Sequence, residues 1–366
     1  MKIVCSKDKL SNAISHAQRA VSIRSTLALL DGILFVAKED KIKLTGYDLE
    51  TGIEALLPGD IIREGSTILN ARMLSEIVKK LPEDIVSIDV DEKNVATINS
   101  GNSKFKIKGM DSSDYPQLPD VDASEKVVVS QKLLRDMIGQ TLFAVSTDES
   151  RPAFNGILFN SSGNNLELAA VDGFRLALRS EKVEENLPDS KILIPGKALR
   201  HIQAILADSG EVVLYKTQNN IKFEIDDVVL VSRLIQQEFM NYSSILPESY
   251  STAIELNTRE FYEAVERANL ILPSQDRRFP MSLEIDDKDV KITATTEVGN
   301  LNDEVSIISF EGKEIDIDFN PKYFLDAFKV IEDESVRLEF NGPVGPCVIK
   351  PIEGNAFSYL VLPLRK

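Results

Sequence analysis

Side chains that could perform acid–base or nucleophilic chemistry are scarce in this sequence. Its two histidines, His16 and His201, each fall in a helix-like segment with no serine or cysteine nucleophile pattern beside them. Histidine is the commonest general base near neutral pH, so this arrangement favours surface or partly buried helix histidines over a catalytic pair. The glycine-rich loops that cradle nucleotide phosphates are also missing from the sequence. We therefore expect no catalytic residues and no cofactor.

Two aspartates could be mistaken for a carboxylate pair. Asp48 and Asp172 lie 124 residues apart, each after a strand-like run. We interpret each as a turn cap that accepts hydrogen bonds from nearby backbone N–H groups. Recurrence at equivalent places favours an architectural role over a unique active site. The acidic run 332–334 likewise indicates solvated surface, and we expect no metal site.

Composition limits the compartment and the partners. Cys5 and Cys347 lie in apolar strand-like runs without metal-ligand spacing, which predicts buried free thiols in a reducing compartment. No apolar run approaches the roughly 18 residues of a membrane span, so we expect a cytoplasmic protein without a membrane partner. The net charge is −16, from 58 acidic and 42 basic residues. Any contact with nucleic acid must therefore use a local basic surface.

A repeat of 125 residues organises the elements that must position any site. An apolar stripe typical of one buried helical face recurs three times, at Leu74, Ile77, Val78 and Leu81, at Leu199, Ile202, Gln203 and Leu206, and at Phe324, Ala327, Phe328 and Ile331. A basic residue precedes each stripe, namely Arg72, Lys197 and Lys322. An earlier helix precedes each of these, with stripes at Leu10, Ala13, Ile14 and Ala17, at Leu134, Met137, Ile138 and Thr141, and at Phe261, Ala264, Val265 and Ala268.

Strand-like runs and unit ends recur in the same way. The runs 42–45, 166–169 and 290–293 match, and each unit ends in a tyrosine-containing segment that reaches a proline. Polar linkers at 120–125 and 248–252 separate the units. We predict three α+β domains, 1–122, 123–249 and 250–366, each with two helices of about 12 residues on antiparallel sheets of six to eight short strands. The helix spacing also suggests a twofold repeat inside each domain.

Basic residues lie on all six predicted helices. They are Lys9, Arg19, Arg72, Lys79, Lys80, Lys132, Arg135, Lys197, Arg200, Arg259, Arg267, Lys322 and Lys329. Glu76, Glu263 and Glu266 interrupt the pattern, so without further information ordinary solvent-facing surfaces are the better explanation.

Several motifs, in order along the chain, resemble those of the bacterial sliding clamps, the beta subunits of DNA polymerase III. The motifs are Leu44–Glu50, Phe154–Gly156, Val171–Ala177 and Leu360–Arg365, and the resemblance extends over the whole chain. It implies three similar DNA-clamp domains per chain and a head-to-tail homodimer that closes a six-domain ring. It also implies a non-enzymatic processivity factor that encircles duplex DNA without reading its sequence.

The resemblance assigns residues to the dimer interface and to DNA. The implied interface residues are Lys104, Phe105, Ile107, Ile271, Leu272, Glu297 and Glu304, with Asp303 on the same acidic edge. The implied DNA-facing residues are Arg24, Arg72, Lys79, Lys80, Lys132, Arg151, Lys197, Arg200 and Lys322. Asp148 and Glu149 stand where the family usually has a neutral amide.

The resemblance also implies a groove for short partner peptides that contain Gln and Leu or Phe. Its residues are Phe154, Val171, Gly173, Phe174, Arg175, Leu176, Met240, Asn320, Tyr323, Val344, Pro346, Leu360, Val361, Leu362, Pro363, Leu364 and Arg365. The implied partners are the polymerase III alpha subunit, the clamp loader delta subunit and other proteins with a clamp-binding motif. Phe174, Met240 and Ser244 replace a usual His, Pro and basic residue.

Three alternatives stay open at this point. Core packing alone would explain Phe174, Leu176 and Leu362. A hydrolase or lyase built on repeated α+β domains would need a convergent acid–base set. A clamp-like scaffold that no longer encircles DNA would be distinguished by the absence of basic residues from some of the helices.

Overall fold

The computed structural model describes residues 1–22, 27–122, 126–272 and 280–364. The chain divides into two compact units. The first unit comprises Met1–Leu134 and Lys197–Leu234, and the second comprises Arg135–Gly196 and Ile235–Lys366.

Six α-helices lie in the described residues. They are α1 (Lys7–Gln18), α2 (Ala71–Lys79), α3 (Gln131–Leu142), α4 (Gly196–Gln203), α5 (Thr258–Ile271) and α6 (Pro321–Phe328). The four stripe positions predicted for each of α1, α3 and α5 are all buried, so these helices bury the faces that the sequence indicated. Side-chain oxygens of Asn70, Asn257 and Asn320 accept N–H bonds in the first turns of α2, α5 and α6, as expected for helix starts.

The second helix of each repeat is shorter than the predicted length of about 12 residues. Helices α2, α4 and α6 contain 9, 8 and 8 residues. The last position of each predicted stripe, at Leu81, Leu206 and Ile331, therefore lies beyond the helix end. For α2 the cause is local, because Pro82 follows Leu81 and disfavours helical geometry in the residue before it. Leu81 and Leu206 are nevertheless buried.

The strands are antiparallel throughout the described pairings. The first third of the chain contributes β1 (Lys2–Ser6), β2 (Gly32–Lys38), β3 (Lys41–Tyr47), β4 (Thr51–Leu57), β5 (Gly59–Arg63), β6 (Gly65–Asn70), β7 (Ile85–Val90), β8 (Val95–Ser100) and β9 (Ser103–Lys108). The middle third contributes β10 (Lys126–Ser130), β11 (Gly156–Val171), β12 (Arg175–Pro195), β13 (Glu211–Lys216), β14 (Asn220–Ile225) and β15 (Val228–Arg233). The last third contributes β16 (Thr252–Asn257), β17 (Met281–Ile285), β18 (Asp289–Thr296), β19 (Gly299–Gly312), β20 (Ile315–Phe319), β21 (Ser335–Phe340), β22 (Cys347–Pro351) and β23 (Phe357–Val361).

The first unit contains two sheets. One has the order β5-β1-β7-β8-β9, and the other has the order β10-β13-β14-β15-β4-β3-β2-β6. Strands β15 and β4 pair from Val228 opposite Ala55 to Ser232 opposite Thr51. The predicted middle domain thus shares a continuous sheet with the predicted first domain. The sequence prediction of antiparallel sheets in each domain did not include this pairing between domains.

The second unit is built on one sheet with the order β11-β12-β23-β22-β21-β16-β19-β18-β17-β20. Strands β11, β12 and β19 contain 16, 21 and 14 residues, so the prediction of uniformly short strands was wrong for them. Strand β12 pairs with β23, from Arg175 opposite Val361 to Arg179 opposite Phe357. This pairing places the turn before β12 beside the C-terminal strand.

The two repeated aspartates are turn caps, as the sequence predicted. The Asp48 carboxylate accepts from the backbone N–H groups of Glu50 and Thr51 at 3.0 and 2.7 Å. The Asp172 carboxylate accepts from those of Phe174 and Arg175 at 2.9 and 3.1 Å. Both turns lead from one strand into the next, so the carboxylates serve architecture.

Candidate functional site

An apolar cluster in the second unit forms the floor of the candidate site. Its buried members are Leu158, Ala169, Val171, Leu176, Leu193, Phe239, Val348 and Leu360, and the partly buried side chains packed against it are Ala153, Phe154, Leu178, Ile235, Met240, Tyr242 and Leu246. Strands β11, β12, β22 and β23, the helical turn at 152–154 and the segment after β15 supply these residues. The cluster therefore unites residues up to about 200 positions apart in the sequence.

Five of the predicted groove residues belong to this cluster. Phe154 and Met240 are partly buried and offer surface, whereas Val171, Leu176 and Leu360 are almost completely buried. Val361 is buried as well. These buried side chains form the inner part of the floor and offer almost no surface to a ligand. The core-packing alternative therefore holds for Leu176.

The turn at 172–174 lies between Val171 and Leu176, two members of the floor cluster. Gly173 has a φ of +94°, a left-handed conformation that a side chain would strain. Phe174 follows it with 39% of its surface exposed, and Leu362 is 40% exposed. The Leu362 N–H donates to the Phe174 carbonyl at 2.9 Å. Core packing thus fails to explain Phe174 and Leu362, which both present apolar surface to solvent.

Arg175 fixes the turn to helix α6. Its guanidinium donates to Asp172 at 2.8 Å and to Asp326 at 2.6 Å, and its side chain is 9% exposed. The same guanidinium lies 5.4 Å from the ring centroid of Phe143 and 5.0 Å from that of Tyr323. A buried cation with two carboxylates and two aromatic faces is fully engaged inside the protein. Its geometry suits a positioning role.

Residues at the start of α6 and in the segment 362–364 form a wall of the candidate site. The Phe174 and Tyr323 rings are stacked with centroids 6.1 Å apart and an interplanar angle of 9°. Asn320 caps α6 one turn before Tyr323. The Leu364 N–H donates to the Asp318 carbonyl at 2.8 Å, which holds the segment 362–364 against β20. Pro363 is partly buried.

The remaining predicted groove residues are less closely tied to the floor. Pro346 and Val344 lie on the turn between β21 and β22, and Val344 is strongly exposed. The following strand carries Val348 of the floor cluster. Arg365 lies outside the described residues.

The predicted DNA-facing residues on the helices are all exposed, namely Arg72, Lys79, Lys80, Lys132, Lys197, Arg200 and Lys322. Arg151, which precedes the helical turn at 152–154, is also exposed, and Arg24 lies outside the described residues. Arg72 forms an exposed ion pair with Glu76 at 3.2 Å. Lys197 forms an ion pair with the nearly buried carboxylate of Asp48. These ion pairs partly neutralise the positive charges of Arg72 and Lys197, two of the predicted DNA-facing residues.

Strand β9 and the first half of β19, which carry four of the seven predicted dimer residues, each pair on one side only among the described strands. Strand β9, with exposed Lys104 and Phe105 and nearly buried Ile107, is the last strand of its sheet. In β19, Gly299–Ser306 pair only with β18 among the described strands. Glu297 and Glu304 are exposed, but Asp303 accepts from Arg267 at 2.6 Å within the chain. Leu272 is buried and Ile271 is partly buried, whereas Leu270, one residue before Ile271, is 84% exposed and presents the apolar surface at the end of α5.

Both histidines are partly buried on helices, as the sequence predicted. Burial, reinforced by Lys197 and Arg19, lowers the pKa of His201 from 6.5 to about 4. Burial and Arg19 also lower the pKa of His16. His16 Nδ1 and His201 Nε2 are buried without a hydrogen-bond partner. The lowered pKa values keep both rings mainly neutral near pH 7.

Acidification is expected to destabilise the first unit through His201. A folded pKa of about 4 lies below the unfolded value of 6.5, so the unfolded chain binds the proton first as the pH falls. Full stability is present above pH 6.5 and declines toward pH 4. His201→Gln should therefore lose about 2 kcal/mol less than wild type in urea unfolding between about pH 7.5 and about pH 4.5. Equal losses in the two proteins would contradict the expectation.

Some groove residues carried no signal in the sequence. Phe143, Asp326 and Leu246 contact Arg175 or the floor, but they stand in helices or loops without a recognisable motif. The repeated tyrosine of the unit ends could have indicated Tyr242, which also donates to Glu167. Among the described residues, no group of three or more His, Cys, Asp or Glu side chains is arranged to hold a metal ion. Cys5 and Cys347 are buried free thiols, as predicted.

Known families match the chain over nearly its whole length. The N-terminal domain of the DNA polymerase III beta subunit matches residues 1–119, the central domain matches 128–241 and the C-terminal domain matches 243–365. The chain therefore belongs to the DNA polymerase III beta subunit family and has its three clamp domains. This is a family of non-catalytic processivity factors in replication, the beta sliding clamps.

Individual relatives agree with this assignment. Beta sliding clamps of Bacillus subtilis and Halalkalibacterium halodurans are each 35% identical over 379 residues, covering 100% of both chains. The crystal structure of the Bacillus subtilis sliding clamp has a TM-score of 0.95 at 33% identity and covers 100% of this chain and 99% of its own. Within the described part of this chain, none of the helices has the length and hydrophobicity needed to span a membrane.

Proposed function

We propose that two copies of this chain join head to tail into a ring around duplex DNA, slide along it and hold the replicative polymerase on its template. The observation that carries the proposal is the match of all three domains to one family, at 35% identity with full-length clamps. The ring would work in the cytoplasm. It would bind DNA through topology and phosphate attraction and not through base contacts.

The distribution of charge supports the DNA part of the proposal. Each helix carries or is followed by an exposed lysine or arginine: Lys9 on α1, Arg72 on α2, Lys132 on α3, Arg200 on α4, Arg259 on α5 and Lys322 on α6. Presence on all six described helices argues against a scaffold that has lost its DNA-facing surface. In the proposed ring these residues would face phosphates, and the acidic excess behind the net charge of −16 would lie elsewhere.

The groove supports a role as docking platform. An apolar floor with the partly exposed Phe154 and Met240 beside it, a polar anchor at Asn320 and exposed Phe174 and Leu362 suits a short peptide that buries one or two apolar side chains. We propose that the polymerase III alpha subunit, the clamp loader delta subunit and other proteins with such a motif compete for it. A related clamp from Pseudomonas aeruginosa has been crystallised with griselimycin, so ligand binding occurs in the family.

The proposal can be tested by topology. The protein is loaded by a bacterial clamp loader with ATP onto nicked circular DNA, and the complex is separated from free protein at high salt. Retention on circles, with release after a restriction enzyme linearises the DNA, is the expected result. Retention that is lost at high salt on circles would contradict the ring, because phosphate contacts weaken steeply with salt whereas topological linkage does not.

Charge reversal on β9 is expected to weaken the dimer. Lys104→Glu with Lys106→Glu places carboxylates on the edge strand that would meet Glu297 and Glu304 of the second copy. Repulsion should raise the dimer dissociation constant about tenfold or more, measured by sedimentation velocity over a concentration series. The matched control is Lys38→Glu with Lys41→Glu, two exposed lysines that lie opposite each other on β2 and β3 in the other sheet of the first unit. An equal effect of both pairs would argue against this interface.

A further inference from the structure

Phe174 occupies a special place in the groove. It is the exposed tip of the turn between β11 and β12, directly after Gly173, where an added Cβ would lie 3.4 Å from the Arg151 guanidinium and 4.0 Å from the Phe154 ring. Its own ring lies parallel to that of Tyr323 on α6, with centroids 6.1 Å apart. Because Val171 and Leu176 on either side of it belong to the floor cluster, Phe174 connects the apolar floor with the wall at α6.

The turn presents this ring from a fixed backbone. The Phe174 N–H donates to the Asp172 carboxylate at 2.9 Å, and its carbonyl accepts from the Leu362 N–H at 2.9 Å. Arg175 holds the stacking partner as well, because its guanidinium lies 5.0 Å from the Tyr323 centroid and is bound to Asp326. With the backbone and the neighbouring ring both held, the Phe174 ring can reorient only about its own side-chain bonds.

We propose that Phe174 determines peptide specificity and favours partners with an aromatic side chain at the position that faces it. The proposal rests on the proposed role of the groove as a peptide site. A peptide that reaches from the floor toward α6 must meet the exposed surface of Phe174 or displace its stack with Tyr323. An aromatic side chain restores ring-to-ring contact in either case, whereas an aliphatic side chain contributes burial only.

The floor by itself does not discriminate in this way. Its partly exposed members Phe154 and Met240 offer surface to apolar side chains of either kind, and methionine adapts its shape readily. Affinity for apolar peptides should therefore come from the floor, and the difference between aromatic and aliphatic peptides from Phe174. Ring-to-ring contact predicts a preference of about threefold to tenfold for the aromatic peptide.

The test uses full-length protein and two fluorescein-labelled peptides, Gln-Ala-Ala-Leu-Phe and Gln-Ala-Ala-Leu-Leu, with binding followed by fluorescence anisotropy. Wild type should bind the first peptide about threefold to tenfold more tightly. Phe174→Leu keeps the apolar area and should bring the ratio close to one while the aliphatic peptide still binds. Ile352→Ala, on a turn outside the groove with 43% exposure, is the matched control and should keep the ratio.

The outcomes separate this proposal from the proposed function. Equal affinities in wild type, or an unchanged preference in Phe174→Leu with an unaltered melting temperature, would overturn the role of Phe174 and leave the groove as a peptide site. Failure of both peptides to bind wild type, even in competition at high concentration, would overturn the groove itself and with it this proposal.

Discussion

Arg175→Met is expected to lower the free energy of unfolding by about 3 kcal/mol and to weaken peptide binding about tenfold. The substitution keeps much of the apolar stem but removes the charge that Asp172 and Asp326 share at 2.8 and 2.6 Å. Two partly buried carboxylates would then lack their cation. The turn at 172–174 and the Tyr323 ring would lose their common support, so Phe174 would no longer be held in place.

Urea unfolding measures the first effect and anisotropy with a labelled groove peptide measures the second. Arg175→Lys is the control that preserves charge, but its single ammonium cannot reach both carboxylates with a planar fork, so an intermediate loss is expected. Adding Asp326→Asn to Arg175→Met should recover part of the stability, because one uncompensated carboxylate is removed. Wild-type stability and affinity in Arg175→Met would contradict the positioning role.

Features set by short stretches of sequence could be predicted. The stripes of α1, α3 and α5 and the turn caps at Asp48 and Asp172 each depend on residues within about two helical turns of one another. The same locality explains the error at α2, α4 and α6. The apolar period continues past the helix ends, because Leu81 and Leu206 are buried although they lie in the segments that follow α2 and α4.

Features set by pairings across the chain could not be predicted from pattern. Arg175 and Asp326 are 151 positions apart, and nothing in either local segment identifies the other. The pairing of β12 with β23 and that of β15 with β4 depend on register between distant strands, which alternation alone leaves open. For the same reason, only the family resemblance, and no sequence pattern, predicted that 171–176 and 360–364 belong to one groove. The structure brings those two segments together.

A charge network on the sheet of the second unit also joins residues that are far apart in the sequence. Arg337 on β21 lies directly opposite Glu255 on β16, and its guanidinium donates to Glu255, Glu311 and Glu339 at 2.9 to 3.3 Å. The side chain is 16% exposed and lies 5.1 Å from the Tyr250 ring. Hydrogen bonding from Arg337 lowers the pKa of the Glu311 carboxyl. One cation thus offsets three carboxylates, assisted only by Lys350 at Glu339 among the described contacts.

Arg337→Met is expected to lower the free energy of unfolding by about 3 kcal/mol, because the substitution leaves Glu255 and Glu339 partly buried beside each other without their shared cation. The loss should shrink in acid, because Glu311 binds a proton there and its ion pair with Arg337 no longer stabilises wild type. The lowered pKa of Glu311 stabilises the folded protein at pH values above the pKa of the unfolded chain. This stabilisation is lost as the pH falls through the folded pKa.

Urea unfolding of Arg337→Met near neutral pH and in acid checks both parts of this expectation. Adding Glu255→Gln should recover stability in the Arg337→Met background but cost stability in wild type, the opposite signs that mark a coupled pair. An exposed pair such as Arg259 and Glu263, at 2.8 Å, gives the comparison, because its removal should change stability by less than about 1 kcal/mol. A loss in Arg337→Met that is equally small would show that the sheet tolerates the three carboxylates without their cation.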